Sequence, residues 1–558
     1  MKALLIILIM LAALVLFFSP VSAQGAERVA PLLEGLGNHH HQITTDSPEA
    51  QRFFDQGLIL SYGFNHKEAE RSFREAARLD PECAMCYWGI ALVLGPNINT
   101  KMFDEAVAPA YEAAQKALEL SGKASEKERA YVLALIERYG PAPVADRSSL
   151  DKNYAKAMGE LSKRYPGDLD AATLYAESLM DLHPWDFWKT NGEMKEWTPE
   201  IVTTLERVLN RDPYHPGANH FYIHAIEASK NPERAAAAAD RLNNLVPVAG
   251  HLVHMPSHIY IRVGRYHDGS LVNEAAIKAD DEYIAQCRAQ GVYPLAYVPH
   301  NHHFLWATTT MEGRSERAIE AARNTAARVD QTMMRKPGLG TLQHYSAIPY
   351  YALIRFGKWE EILAEPAPAA DLVYPTGVYH YARGMALART SRFDEAQGEL
   401  EKVREIAANP VLDSVTIWGN NATSSLMNIA SEVLAGELAA SQGEYGVAVD
   451  HLKKAVEIED SLIYDEPPDW FFPVRHSLGA VLLEAGRPAD AEKVYREDLA
   501  KFPDNGWSLF GLMKSLEAQS RTQEAASVKG RFQKAWAEAD IPLTASRLKM
   551  EDEKLWTL

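Results

Sequence analysis

A spacing of 34 residues runs through this 558-residue chain and restricts what it can become: His220 and His254 are 34 positions apart, and so are His224 and His258. A chain this long exceeds what one compact core accommodates, so it divides into several domains or repeats one small unit. Composition favours repetition. Ala-rich amphipathic segments recur along the whole length, whereas alternating Val/Ile/Thr runs are missing, so the reading is nearly all helical, with no sheet.

The repeated unit is most legible after Ser47, where Gly57, Ala69, Phe73, Ala76 and Pro81 stand at fixed separations. The same spacing returns as Gly384 with Ala396, Gly436 with Ala448 and Ala455, and Gly479 with Ala491 and Pro503; the stretch from Gly506 to Trp536 keeps Ala525 in phase. Small residues let the two helices of a hairpin approach closely, and proline ends the second helix. This pattern resembles the tetratricopeptide repeat (TPR) family over most of the chain, and the resemblance implies an all-α, TPR-like helical-hairpin solenoid, a right-handed superhelix, here with aromatic loop insertions. It implies little about activity, because such arrays serve many purposes. The expected layout is a signal segment at 1–23, a tether at 24–46, TPR-like repeats at 47–215, central His-rich repeats at 216–363, a Pro/Ala loop at 364–376, further repeats at 377–540 and a tail at 541–558.

Met1-Lys2, the apolar run from Ala3 to Phe18 and the following Ser-Pro-Val-Ser-Ala have the three-part layout of a secretory signal with cleavage after Ala23, giving a periplasmic or secreted protein; an uncleaved N-terminal anchor is the alternative. No later segment is long and apolar enough to span a bilayer. The formal charge of −18 and the lack of any basic run exclude a nucleic-acid partner. Three cysteines are too few for a disulfide-dense scaffold. Cys83 and Cys86 form a CxxC that reads as a structural disulfide or a packed reduced pair, with a redox pair or half of a thiolate metal site as the other possibilities. The run His39-His40-His41 reads as a solvated, poorly ordered segment, with weak metal binding as the alternative.

Phase gives the histidines meaning. Counting from the helix-A residue that lies twelve before each small helix-B residue (Ile223, Ser257 and Trp306), His220, His254 and His303 occupy −3, His224 and His258 occupy +1, Glu227 occupies +4, and His251 and His300 occupy −6. His344 is at −6 in the following repeat. At about 100° per residue these four offsets share a stripe roughly 80° wide. In proteins that the chain resembles, that stripe lines the concave groove. His215 and His267 fall out of phase and read as satisfied or surface residues, and His302 as a packing residue.

Imidazoles at i and i+4, or at i and i+3, sit on adjacent helical turns, close enough to share an ion. Nitrogen donors with one carboxylate suit a transition metal (Zn, Cu, Fe or Mn) rather than Mg or Ca, which want oxygen. Seven in-phase histidines (His220, His224, His251, His254, His258, His300 and His303) exceed one tetrahedral site, which points to two ions or to one ion with additional acid/base groups. Glu227 is a ligand or a base. The groove then belongs to a metal-dependent enzyme or to a metal-binding or sensing protein without turnover. The third reading is a non-catalytic scaffold that binds protein or peptide partners in the groove, and the groove's expected ligand is a small molecule or a peptide. Two aromatic insertions, His183 to Trp197 and Asp465 to Pro473, read as staples or as walls of the groove.

Overall fold

The computed structural model describes residues 28–287 and 293–548; the expected signal segment lies outside the described residues. Helical hairpins follow one another along the chain, for example Pro48–Tyr62 with His66–Leu79, Val373–Arg389 with Phe393–Ala407, and Val474–Glu484 with Pro488–Lys501. Each hairpin also packs on the next, so the architecture is an all-α, TPR-like helical solenoid. The close approach inside a hairpin is visible at Gly57, where an added Cβ would lie 2.7 Å from the Phe73 ring, and at Gly479, where it would lie 2.4 Å from that of Tyr495. The small residues in the repeat pattern are therefore where the aromatic ring of the partner helix seats.

The expectation of no sheet needs a small correction. Thr416–Ile417 and Asn421–Ala422 form a two-stranded antiparallel ladder whose turn carries Trp418. The expected loop at 364–376 is shorter, since the next helix already begins at Val373. Residues 28–46 are a packed segment rather than a loose tether. Ala30, Leu33, Leu36 and Ile43 are buried, and the Leu33 N–H donates to Gln56 Oε1 at 2.8 Å. The tail also folds back, with Leu548 buried and Arg547 paired with Glu437 and Glu484. Among the described residues no helix is long and apolar enough to cross a membrane.

The solenoid winds back on itself instead of presenting an open groove. The N-terminal repeats close one side of the central ones, with the Arg71 guanidinium donating to the Cys287 carbonyl at 2.9 Å. The C-terminal repeats close the other side: Trp507 Nε1 donates to the Thr310 carbonyl at 2.9 Å, and the Ser315 N–H to Asp540 Oδ1 at 2.7 Å. The histidine stripe consequently faces an interior, and His220, His224, His251, His254, His258 and His300 are all buried.

Candidate metal centre

Three helical segments deliver the donors. Pro216–Ile226 starts with proline at its first position and carries His220 and His224 one turn apart. In the next repeat the helix is interrupted by Pro256, which lacks an N–H, but Met255 keeps helical angles (φ −50°, ψ −35°). The register therefore continues, and His254 and His258 face the same way as their counterparts one repeat earlier. Val298–Glu312 brings His300.

Two triads result. The ligating atoms of His220, His224 and His251 lie within 4.8 Å of one another, and so do those of His254, His258 and His300. Each triad follows one rule: the −3 and +1 histidines of one helix are joined by the −6 histidine of the next repeat. The triads adjoin, with the rings of His224 and His258 5.7 Å apart and those of His251 and His254 6.0 Å apart.

Proton positions follow from the outer partners. His220 Nδ1 faces the Tyr62 carbonyl at 2.5 Å, His224 Nδ1 faces Glu227 Oε1 at 2.8 Å, and His258 Nδ1 faces Glu227 Oε2 at 2.5 Å. His254 Nδ1 faces Asn273 Oδ1 at 2.7 Å, and the orientation of that amide is fixed because its Nδ2 donates to the Gly269 carbonyl at 2.7 Å. All four partners can only accept, so all four imidazoles carry their proton on Nδ1 and turn a bare Nε2 inward. His300 Nδ1 lies 3.3 Å from the Tyr345 hydroxyl. Inside, the Nε2 atoms of His254 and His258 approach to 2.9 Å, and those of His220 and His251 to 3.1 Å. His224 Nε2 is buried without a hydrogen-bond partner.

Electrostatics agree with this proton placement at His220, His224 and His254. Burial drives His224 below its ordinary pKa, and burial with neighbouring imidazoles drives His220, His251, His254 and His300 well below theirs. His258 differs: burial opposes its charge, but Glu227 and Glu466 outweigh burial and hold it up at about 9. Glu227, opposed by burial yet bracketed by His258 and His224, is brought down to about 2. Glu466, whose Oε2 is 3.4 Å from His258 Nδ1, is pushed up by burial to about 7. Glu227, His258 and Glu466 form a third convergent group.

His303 and His344, in phase in the sequence, stand outside both triads and face each other with ring centroids 5.5 Å apart. The reason is one residue: the +1 position of that repeat is Ala307, so no third imidazole completes the set. Cys83 and Cys86 are bonded to each other and offer no thiolate. His267 pairs with Glu312 at 2.8 Å near the surface, and His302 is buried with neither nitrogen hydrogen-bonded.

The solvated reading is overturned for His39 and His41, whereas His40 is exposed. His39 Nε2 and His41 Nδ1 reach the two oxygens of Asp170 at 2.9 and 2.7 Å, the Tyr62 hydroxyl donates to Oδ1 at 2.6 Å, and His215 Nε2 lies 3.2 Å from the same oxygen. His215 also caps the helix of His220, its Nδ1 accepting the Ala218 N–H at 3.2 Å.

A cavity of about 270 Å³ opens onto both triads and is lined by His224, His251, His258 and His300, by Glu227 and Glu466, and by Trp185 of the first insertion together with Trp418 and Tyr464. Sequence reasoning missed Glu466 as a partner of His258, and it missed Trp418. Neither has a local signal, since each reaches the site only through the winding of the chain.

No protein-family model and no curated protein matches this chain. Solved structures to which it is similar include the APC/C hetero-tetramer Cut9-Hcn1, at 13% identity over 90% of this chain and 79% of that one with a TM-score of 0.29. Another is the human IFIT1 dimer with m7Gppp-AAAA, at 12% identity over 88% of this chain and 91% of that one with a TM-score of 0.31. The superpositions are loose, and the fold assignment rests on the helix pairing itself.

Proposed function

We propose that the protein is an exported metalloprotein that holds two transition-metal ions, one in each histidine triad, and uses them on a small molecule admitted to the adjoining cavity. The observation that carries this reading is the pair His254 and His258. Both Nδ1 atoms face oxygens that only accept, so two bare Nε2 lone pairs meet at 2.9 Å, and a cation is required between them. A proton on His258 meets that need for one pair, but it leaves the buried Nε2 of His224 unserved. An ion in each triad serves both, and the outer oxygens then act as the supports that orient metal-ligating imidazoles and raise their basicity. Glu227, bridging His224 and His258, couples the two sites.

Three nitrogen donors per triad, with no fourth in either group among the described residues, leave each ion a coordination position toward the cavity. That is the pattern of catalytic rather than structural sites. Imidazole-only triads suit Zn, Cu or Fe. Export is supported by the N-terminal sequence pattern and by the Cys83–Cys86 disulfide, a bond kept in oxidising compartments.

Elemental analysis of protein purified from the exported fraction tests the reading. Two ions per chain are expected, with His220→Ala and His254→Ala each losing one. An ion count that neither substitution changes would sink it.

A further inference from the structure

Each triad has its own tryptophan. Trp185 stands edge-on to His224 with ring centroids 5.0 Å apart at 84°, and Trp418 stands edge-on to His300 at 5.9 Å and 89°. They arrive from opposite ends of the fold, one from the loop between Leu169–Leu182 and Thr198–Arg211, the other from the turn of the short ladder. Both are at positive φ, 61° and 49°, a backbone conformation that a bulky side chain adopts only when its surroundings impose it. Both stay about 40% exposed while lining the same cavity. Core tryptophans of this protein, such as Trp88 and Trp306, are fully buried.

The surroundings hold these rings in place. The Asn99 amide accepts from Trp185 Nε1 at 3.1 Å and donates to the Tyr297 hydroxyl at 2.9 Å, tying two cavity walls together. The Trp418 N–H donates to Thr341 Oγ1 at 2.8 Å. Strained backbone, exposed apolar rings and fixed orientation are what a ligand clamp requires, and packing does not explain rings left half in solvent. The polar part of the wall narrows the ligand further. Lys101 is the one Lys or Arg on this cavity's wall, beside the carboxyl groups of Glu227, Asp465 and Glu466, so the wall gives an anionic ligand a single ammonium to pair with.

We infer that the cavity binds a small, neutral aromatic hydroxy compound, a phenol, with its ring against Trp185 and Trp418 and its oxygen toward the histidine triads. The ring half of this inference stands on the tryptophans; the oxygen half rests on the two-ion reading above. Every probe is compatible with a cavity of about 270 Å³.

Calorimetric titration of the zinc-loaded full-length protein, which is redox-silent, tests it with phenol, cyclohexanol and benzoate. Phenol is expected to bind about tenfold more tightly than cyclohexanol, which lacks the π face, and, in the metal-free protein, about tenfold more tightly than benzoate, which brings a charge that the wall does not pair. Trp185→Leu and Trp418→Leu are each expected to weaken phenol about three- to tenfold, with Trp→Phe restoring most of the loss. Zinc content and far-ultraviolet circular dichroism should stay unchanged, which separates loss of the clamp from loss of the fold. Cyclohexanol binding as well as phenol, or both leucine variants binding phenol like the parent, would overturn the inference. The metal-free protein separates the two readings. Phenol binding without zinc uptake leaves the clamp standing and removes the metal centre, whereas zinc uptake without phenol binding does the reverse.

Discussion

Two histidine clusters sit on either side of Tyr62, and they place their protons in opposite ways. Around Asp170, the nitrogens of His39, His41 and His215 converge on one carboxylate, which also receives the Tyr62 hydroxyl. In the central triads the oxygens are outside, holding Nδ1, and the bare Nε2 atoms face one another. His215 shows the contrast within one ring: its Nδ1 accepts the Ala218 N–H, so Nε2 keeps the proton and points it at Asp170. The first cluster is a knot that supplies its own counter-charge through Asp170, although His41 Nε2 is buried without a partner and His39, Asp170 and His215 converge as closely as metal donors would. The second gathers lone pairs, which suits it to the ions proposed above. Residue type and proximity are alike in the two places, and the position of the proton decides what each can do.

Substitutions that exchange these roles should have opposite signatures. Asp170→Asn removes the buried charge that the imidazoles of the knot share, and a loss of about 3 kcal/mol is expected in denaturant unfolding, with the metal count unchanged. A fall in metal count would dissolve the distinction between the clusters. Glu227→Gln should do the reverse, lowering metal affinity by about 10- to 100-fold in chelator competition, since it supports one ligand in each triad. An affinity equal to that of the parent would show that the outer carboxylate is idle.

The smallest effect expected is one of pH. His39 and His41 are held above the ordinary 6.5, burial being outweighed by Asp170, so their contribution is fully present below about 6.5 and is lost as pH rises through their folded values. Asp170 is held well below its ordinary 3.8, burial again being outweighed by its hydrogen bonds from His215, His39 and His41, so its contribution is present above 3.8 and is lost as pH falls through its folded value. Melting temperature against pH should therefore decline on the alkaline side of neutrality, and Asp170→Asn should flatten that decline. Equal slopes in the two proteins would remove the knot from the account.

Periodicity made much of this site legible. The 34-residue echo and the repeat phase put His220, His224, His251, His254, His258 and His300 on one stripe, and +4 found Glu227. The same phase overreached at His303 and His344, because phase reports direction and not whether the neighbouring position, here Ala307, supplies a third donor. It could not reach Asp170, Glu466, Trp418 or the Tyr62 carbonyl. Those contacts depend on how tightly the superhelix coils, a global property that accumulates over many hairpins and leaves no mark in any single repeat. For the same reason the sequence points to a concave groove, whereas in the structure the histidine-lined surface is an interior.

That winding has a consequence for time as well as for shape. With the N-terminal repeats closed over one flank and the C-terminal repeats over the other, an ion held in the triads would exchange with solvent by way of the cavity beside Trp185 and Trp418 or after the coil loosens. The cavity route would then set how fast a bound ion leaves, so the two tryptophans on its wall bear on residence time as well as on what enters.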